Sequence, residues 1–423
     1  MSLADLDKQV MWHPFTQMAE WDPLVVASAE GSFLIDESGR RYLDGVGSLW
    51  CNVHGHRHPS LDRALAEQLA KVAHSTFLGL SHEPGVRLGA ALIDVAPAGL
   101  SRVFYSDSGS TAVEIALKQS FQFWQLNSRP KKQRFLRLGD AYHGDTLGAV
   151  GVGGIELFHR VFGPLLVRSL PVVSPAGTDG RASLQQLEAM LDEHGEEIAA
   201  FVVEPLVQGA AGMLVHPRGF LASAARLCRQ HSVHLIVDEV ATGFGRTGTL
   251  FACEQEGVSP DFMCLAKGIS GGYLPLAATL TTEAIYGAFL GRRDELKHFF
   301  HGHTYTANPL ACAVGVASLE LLLSSTLENA RARIHEVTAS LTRLAAFPTV
   351  RETRQCGMMV GIELHAREGR SVGVEVCQRA RAHGVILRPL GDVLVWMPPL
   401  SISKEELELL EQATTASIAD VLG

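Results

Sequence analysis

Two short apolar runs, each ending on a reactive side chain, constrain this chain most. Residues 235–237 (LIV) lead into Asp238, and residues 262–266 (FMCLA) lead into Lys267. Runs this short, apolar and partly β-branched read as buried strands, so both side chains fall where a strand leaves its sheet. Ligands of open α/β sheets collect outside the carboxyl ends of the strands, which lets the two groups face one ligand. An aldehyde cofactor needs an amine to hold it covalently, and a pyridine ring draws electrons best when a carboxylate keeps its nitrogen protonated. Lys267 as the amine and Asp238 as the carboxylate therefore point to pyridoxal 5′-phosphate.

With 423 residues the chain is long enough for two or three domains. A formal net charge of −9 without a basic stripe disfavours nucleic acid and anionic membrane as partners and leaves small-molecule substrates. Cys51, Cys228, Cys253, Cys264, Cys312, Cys356 and Cys377 are scattered, odd in number and without a CxxC pair. That argues against a disulfide framework or a zinc cluster and for a reducing cytoplasm. The opening MSLADLDKQV lacks an apolar core, and the most apolar later stretches are interrupted by Glu204, Pro205 or Lys267, so no membrane-spanning segment is expected.

Along the chain, WHPFTQM (12–18) precedes a predicted hairpin with turns at Glu30-Gly31 and Ser38-Gly39. SLWCNVHGHRHP brings Trp50 near His54, His56 and His58. No carboxylate or cysteine partner sits at ligand spacing, so a loop is expected there in preference to a metal site; Trp50 reads equally as core or as pocket wall. Residues 61–73 are helix-like. RVFYSDSGS runs from a strand (102–105) into a Ser-Gly-Ser turn and a helix, for which Thr111-x-x-Glu114 predicts a capping box. Free N–H groups at such a start suit a phosphate, although a plain capped helix has the same pattern.

Residues 134–138 predict a further strand, which delivers Tyr142 and His143 to the same sheet edge, where an aromatic ring can stack on a flat cofactor. AAFVVEP places Glu204 at yet another strand end. Strands alternating with helices, and polar groups gathered at one edge, predict an α/β fold with a parallel-rich sheet. Residues 309–323 predict an apolar helix with Pro309 at its first position. Helical stretches 327–346 and 372–383 then alternate with strand-like GMMVGIEL, VILRP and DVLVWMPP, before a last helix capped by Ser403 and Glu406.

With DSGSTAVE, YHGDT, DEVATGFGRTG, LAKG and the HTYTANP loop in this order, the sequence resembles the class III aminotransferases, which are fold-type I pyridoxal phosphate enzymes. WHPFTQM, LWCNVHGH, EPLVQGAAGM, ATGFGRTGTLFACE and RPLGDVLVWMPP are most similar to the biotin-pathway members. The resemblance spans almost the whole chain. It implies a large domain with a seven-stranded sheet over residues 61–310, a smaller α+β domain built from residues 1–60 and 311–423, and a homodimer whose active sites lie at the subunit boundary.

By the same resemblance, Lys267 carries the cofactor and moves the proton between substrate and cofactor carbons. Asp238 holds the ring nitrogen, Gly109 and Ser110 hold the phosphate, Tyr142 covers the ring, and Glu204 and His303 join the cofactor set. Thr304 reaches the phosphate from the partner subunit. Phe15, Trp50, Tyr142, Gly302 and Arg388 line the substrate site, with Arg388 facing a carboxylate. The implied acceptor is 8-amino-7-oxononanoate. The implied donor is S-adenosylmethionine or lysine, because Phe15 stands where many members using adenosylmethionine carry tyrosine. Other class III activities on ornithine, 4-aminobutyrate or ω-amines share the cofactor site, and a nucleotide-binding or scaffolding protein is the alternative outside enzymes.

Overall fold

The computed structural model describes residues 1–167 and 169–423. Its centre is a seven-stranded sheet in the order Leu100–Ser106, Ala277–Thr282, Phe262–Leu265, His234–Asp238, Ile198–Val203, Arg134–Leu138, Leu170–Val172. Only Ala277–Thr282 runs antiparallel to its neighbours, so the expectation of a parallel-rich sheet holds. The three central strands are buried along their whole length, as strands covered on both faces must be.

Alternation sorts their side chains. Val202, Ile236, Phe262 and Cys264 pack with Ala112, Val113 and Ala116 of helix Gly109–Leu126, while Phe201, Val203, Leu235, Val237, Met263 and Leu265 join the main core on the other face. Helices on both faces leave the carboxyl ends of the strands as the open edge.

Two smaller antiparallel-rich sheets flank this body. In the first, Val26–Glu30, Phe33–Asp36 and Arg41–Asp44 extend the predicted hairpin into a three-stranded meander, and Val385–Ile386 adds in parallel, pairing Ile386 with Asp44. The second has the order Val350–Cys356, Met359–Leu364, Val393–Trp396, Arg388–Leu390. Strand Val350–Cys356 went unread because its sequence, VRETRQC, is mostly polar and half-exposed and so carries no apolar alternation. Through the Asp44–Ile386 register, the C-terminal chain returns to the N-terminal segment and sets Arg388 two residues further on.

Two helices read as separate from the sequence are one. Pro309–Leu321 continues through a π-helical turn, Leu322–Thr326, into Leu327–Leu344. The joined helix of 36 residues is long and apolar enough to cross a membrane, contrary to the sequence-based expectation of no such segment, but half of its most apolar window is buried inside the protein. It packs on helices Pro59–Leu69 and Glu83–Val95, the setting of a core helix.

The three clustered histidines are taken up by the fold. His54 bonds Thr326 (2.9 Å) and Ser318 (3.0 Å) of the long helix, His56 bonds Asp44 (3.0 Å), and the His58 ring accepts from Ser60 N–H to cap helix Pro59–Leu69. Among the described residues no cluster of His, Cys, Asp or Glu suits a metal ion.

The turn between Val350–Cys356 and Met359–Leu364 rests against the loop that follows strand His234–Asp238. Gly357 there has φ +63°, and a Cβ on it would lie 2.5 Å from the Arg246 carbonyl. Gly357→Ala is expected to destabilise the protein by more than about 2 kcal/mol. Gly369→Ala, at φ +71° in open space, is expected to cost only about 1 kcal/mol. Urea unfolding of the two variants checks this; equal losses would contradict it.

Candidate active site

The open sheet edge gathers side chains from five strand ends around one cavity of about 600 Å³. Trp50, Gly109, Ser110, Tyr142, Glu204, Asp238 and Lys267, all expected from the sequence, line it together. Lys267 opens a 3₁₀ turn, Lys267–Ser270, and is itself left-handed at φ +47°. Its Nζ lies 4.4 Å from the centroid of the Trp50 ring. Burial lowers the pKa of this amine to about 8, against the opposing pull of Asp238.

Asp238 ends its strand almost fully buried, and both of its oxygens are engaged. Oδ1 accepts from Val240 N–H at 3.0 Å, and Oδ2 lies 2.7 Å from His143 Nδ1. His143 is buried, and its Nε2 has no partner among the described residues. The sequence set His143 at this edge but gave it no role; its place beside Tyr142 in YHGDT was the available signal. Val240, two residues beyond Asp238, also lines the cavity and was not singled out.

Glu204 accepts from Tyr142 N–H (3.1 Å) and Gly209 N–H (3.0 Å), and burial pushes its carboxyl up to about 7 despite the pull of His143. Tyr142 donates its hydroxyl to Asp145 (2.7 Å), whose own N–H donates to Ser110 Oγ (3.1 Å), linking the ring to the helix start. Burial and this carboxylate raise the phenol above its ordinary range.

Helix Gly109–Leu126 begins one turn earlier than the predicted capping box required. Ser108 is the N-cap and closes a box with Thr111, while Glu114 instead accepts from Gly148 N–H at 2.8 Å. The short polar side chains win because DSGS leaves the strand in extended conformation and places the Ser108 hydroxyl on Thr111 N–H. Gly109 and Ser110 N–H have no acceptor among the described residues. A Cβ on Gly109 would sit 2.6 Å from Val240, so only glycine lets this helix start close on the cavity.

Five expected residues do not line the cavity of this chain. Phe15 is exposed, left-handed at φ +53°, and edge-on to Phe158 (5.4 Å), which in turn reaches Tyr142 (6.3 Å). Gly302 and Thr304 are exposed on the loop before Pro309, and His303 lies 4.0 Å from Asp107. Asp107 follows strand Leu100–Ser106 and lines the cavity, so the loop reaches the rim there without lining the cavity itself. Arg388 is half-buried in its strand, and its charge acts on the Tyr142 phenol. Among the described residues no carboxylate pairs with it.

The family description "Aminotransferase class-III" matches residues 16–418, and the chain belongs to that family. Among curated relatives, an adenosylmethionine-8-amino-7-oxononanoate aminotransferase from Nitratidesulfovibrio vulgaris is 52% identical, covering 99% of this chain and 82% of its own length. The crystal structure of the like-named protein from Methanocaldococcus jannaschii superposes with a TM-score of 0.96 at 39% identity, covering 100% of this chain and 99% of the other. A PLP-bound amine transaminase from an uncultivated Pseudomonas species superposes with a TM-score of 0.91 at 33% identity, over 97% and 99% of the two chains.

The residues fit pyridoxal 5′-phosphate, the cofactor of this class. Free N–H groups at a glycine-bearing helix start suit its phosphate, the buried carboxylate of Asp238 suits its ring nitrogen, and Lys267 suits its aldehyde. Only the neutral amine attacks an aldehyde, and the neutral fraction of Lys267 rises as pH passes upward through about 8. Capture of the cofactor by apoprotein should therefore accelerate with pH and reach half its maximal rate near pH 8. A half-point above pH 10 would mean that the amine is not buried.

Proposed function

We propose that this chain transfers an amino group to the ketone of 8-amino-7-oxononanoate, giving 7,8-diaminononanoate on the route to biotin, with S-adenosylmethionine as donor. The reading is carried by one observation: the cavity that faces Lys267 with Asp238 belongs to a chain 52% identical, over 99% of its length, to a relative named for that donor and acceptor. When bound, pyridoxal 5′-phosphate would supply an aldehyde that takes up the donor's amino group and a ring that draws electrons from the carbon bearing that group.

The chain's own residues do the rest. The Gly109 and Ser110 N–H groups hold the phosphate dianion at the helix start. Asp238 keeps a proton on the ring nitrogen, and His143 fixes the carboxylate that does so. The Lys267 amine, half neutral near pH 8, would be the base that takes the proton from the substrate carbon and the acid that gives it back. Tyr142 and Trp50 wall the substrate space, and Glu204 fixes the Tyr142 backbone.

Arg388 has a charge free for the carboxylate that 8-amino-7-oxononanoate carries. Gly302 and Thr304, exposed here, and the half-buried His303 between them serve the site of a second copy in a homodimer. Strongly exposed Trp12, Leu78, Leu157 and Val161 support burial of apolar surface against another chain.

Phe15 bears on the donor, since it offers no hydroxyl near the site, and lysine is the second reading. Yellow enzyme mixed with S-adenosylmethionine alone should lose its colour and regain it on adding 8-amino-7-oxononanoate. Bleaching by lysine and not by the sulfonium would replace the donor. Turnover of a simple ω-amine with none of the oxononanoate would replace the reaction.

Arg388→Ala should raise KM for the oxononanoate by roughly 10- to 100-fold, the loss expected for a charge-assisted hydrogen bond, with lysine a partial substitute. An unchanged KM would remove Arg388 from the pocket.

A further inference from the structure

The segment that carries Trp50 into the cavity has four consecutive residues in the left-handed region: Gly47 (φ +52°), Ser48 (+51°), Leu49 (+84°) and Trp50 (+70°). Only the first is glycine. Left-handed turns disfavour side chains because Cβ crowds the following carbonyl, so such a run persists only where its surroundings impose it.

Asp44 imposes it. This carboxylate, wholly buried at the end of strand Arg41–Asp44, accepts Ser48 N–H (3.0 Å) and Val46 N–H (3.4 Å) on Oδ1 and the Ser48 hydroxyl (2.7 Å) on Oδ2. His56 Nε2 lies 3.0 Å from the same Oδ2, and Asn52 Nδ2 donates to His56 Nδ1 at 3.0 Å, which leaves the ring proton on Nε2 to be given to Asp44. Burial alone would favour a protonated carboxyl, but the hydrogen bonds from His56 and Ser48 outweigh it and hold Asp44 below its ordinary range. The turn thus closes on an anion, and Trp50 N–H reaches back to the Val46 carbonyl (2.8 Å).

We propose that Asp44, braced by His56, is a positioning residue for substrate acceptance: it holds turn 47–50 in its left-handed form so that the Trp50 indole covers Lys267 and walls the substrate space. Neither Asp44 nor His56 lines the cavity, so both act through Trp50. The inference rests on the aminotransferase reading of Lys267 but not on the identity of donor or acceptor.

A double-mutant cycle between His56 and Trp50 tests it with two readouts. In holoenzyme, His56→Leu should raise KM for an amine donor that bleaches the enzyme by roughly 5-fold or more, with the saturating single-turnover rate within about 3-fold of the parent. In apoprotein, acetylation of Lys267 by acetic anhydride, followed by peptide mapping, should be faster in the same variant because the indole no longer covers the amine. In a Trp50→Leu background, His56→Leu should change neither quantity further. Asn52→Ala loosens the same brace more gently and should show a smaller effect with the same non-additivity, which keeps the test available if His56→Leu does not fold.

Additive effects of His56 and Trp50, or Lys267 acetylation unchanged by His56→Leu and Asn52→Ala, would overturn the proposal. Failure of every donor to bleach the enzyme would overturn the functional reading instead, and the acetylation arm would still decide the role of Asp44.

Discussion

Taking the Lys267 amine out of water is the constraint on which the rest of this site depends. The fall from 10.5 to about 8 corresponds to roughly 3 kcal/mol against the ammonium form, so burial shifts this amine toward the neutral form that attack on an aldehyde requires. That preference would be stronger still without Asp238 and Glu204, whose charges pull the other way. The carboxylates need support in turn, since an unpaired buried charge is costly. Asp238 receives it from Val240 N–H and His143, Glu204 from two backbone N–H groups. A cavity with two supported carboxylates and one reluctant cation is suited to a cationic ring.

The sheet makes this arrangement possible because its strand ends meet at one edge, while the strain needed to aim the side chains is kept off the strands. Lys267 is left-handed at the start of its turn, and residues 47–50 are left-handed beside it. Each non-glycine residue so held costs about 1–2 kcal/mol. The surrounding contacts are dense enough to bear it: Asp44 binds the turn from within, and Arg246, buried beneath it, donates to the Asn52 carbonyl at 2.9 Å. The indole and the amine are thereby brought to 4.4 Å from two distant parts of the chain.

Much of this was legible before any coordinates. Strand ends announce themselves as apolar runs broken by a polar residue, and Asp238, Lys267, Glu204 and Tyr142 were read that way. What escaped has physical reasons. Strand Val350–Cys356 has one face in water and a charged sequence, so periodicity is silent. The long helix was divided because a serine-rich π turn, LLSST, looks like a break, whereas packing against two other helices carries the backbone through it. The Thr111–Glu114 box lost to Ser108, a competition between two plausible caps that only the exit geometry of the strand decides. The grip of Asp44 on residues 46 and 48, and of His143 on Asp238, depends on tertiary approach and leaves no periodic trace. Phe15, Gly302, His303, Thr304 and Arg388 came from resemblance alone, and a single chain does not bring them to the cavity.

The proposed chemistry requires Lys267 to be the amine that binds the cofactor aldehyde. Reducing the yellow holoenzyme with borohydride, digesting it and mapping the modified peptide by mass spectrometry tests that most directly. One pyridoxyl-phosphate group per chain is expected, on Lys267, and none after Lys267→Ala. A stoichiometric label on any other lysine, or no covalent label in a fully coloured enzyme, would contradict it.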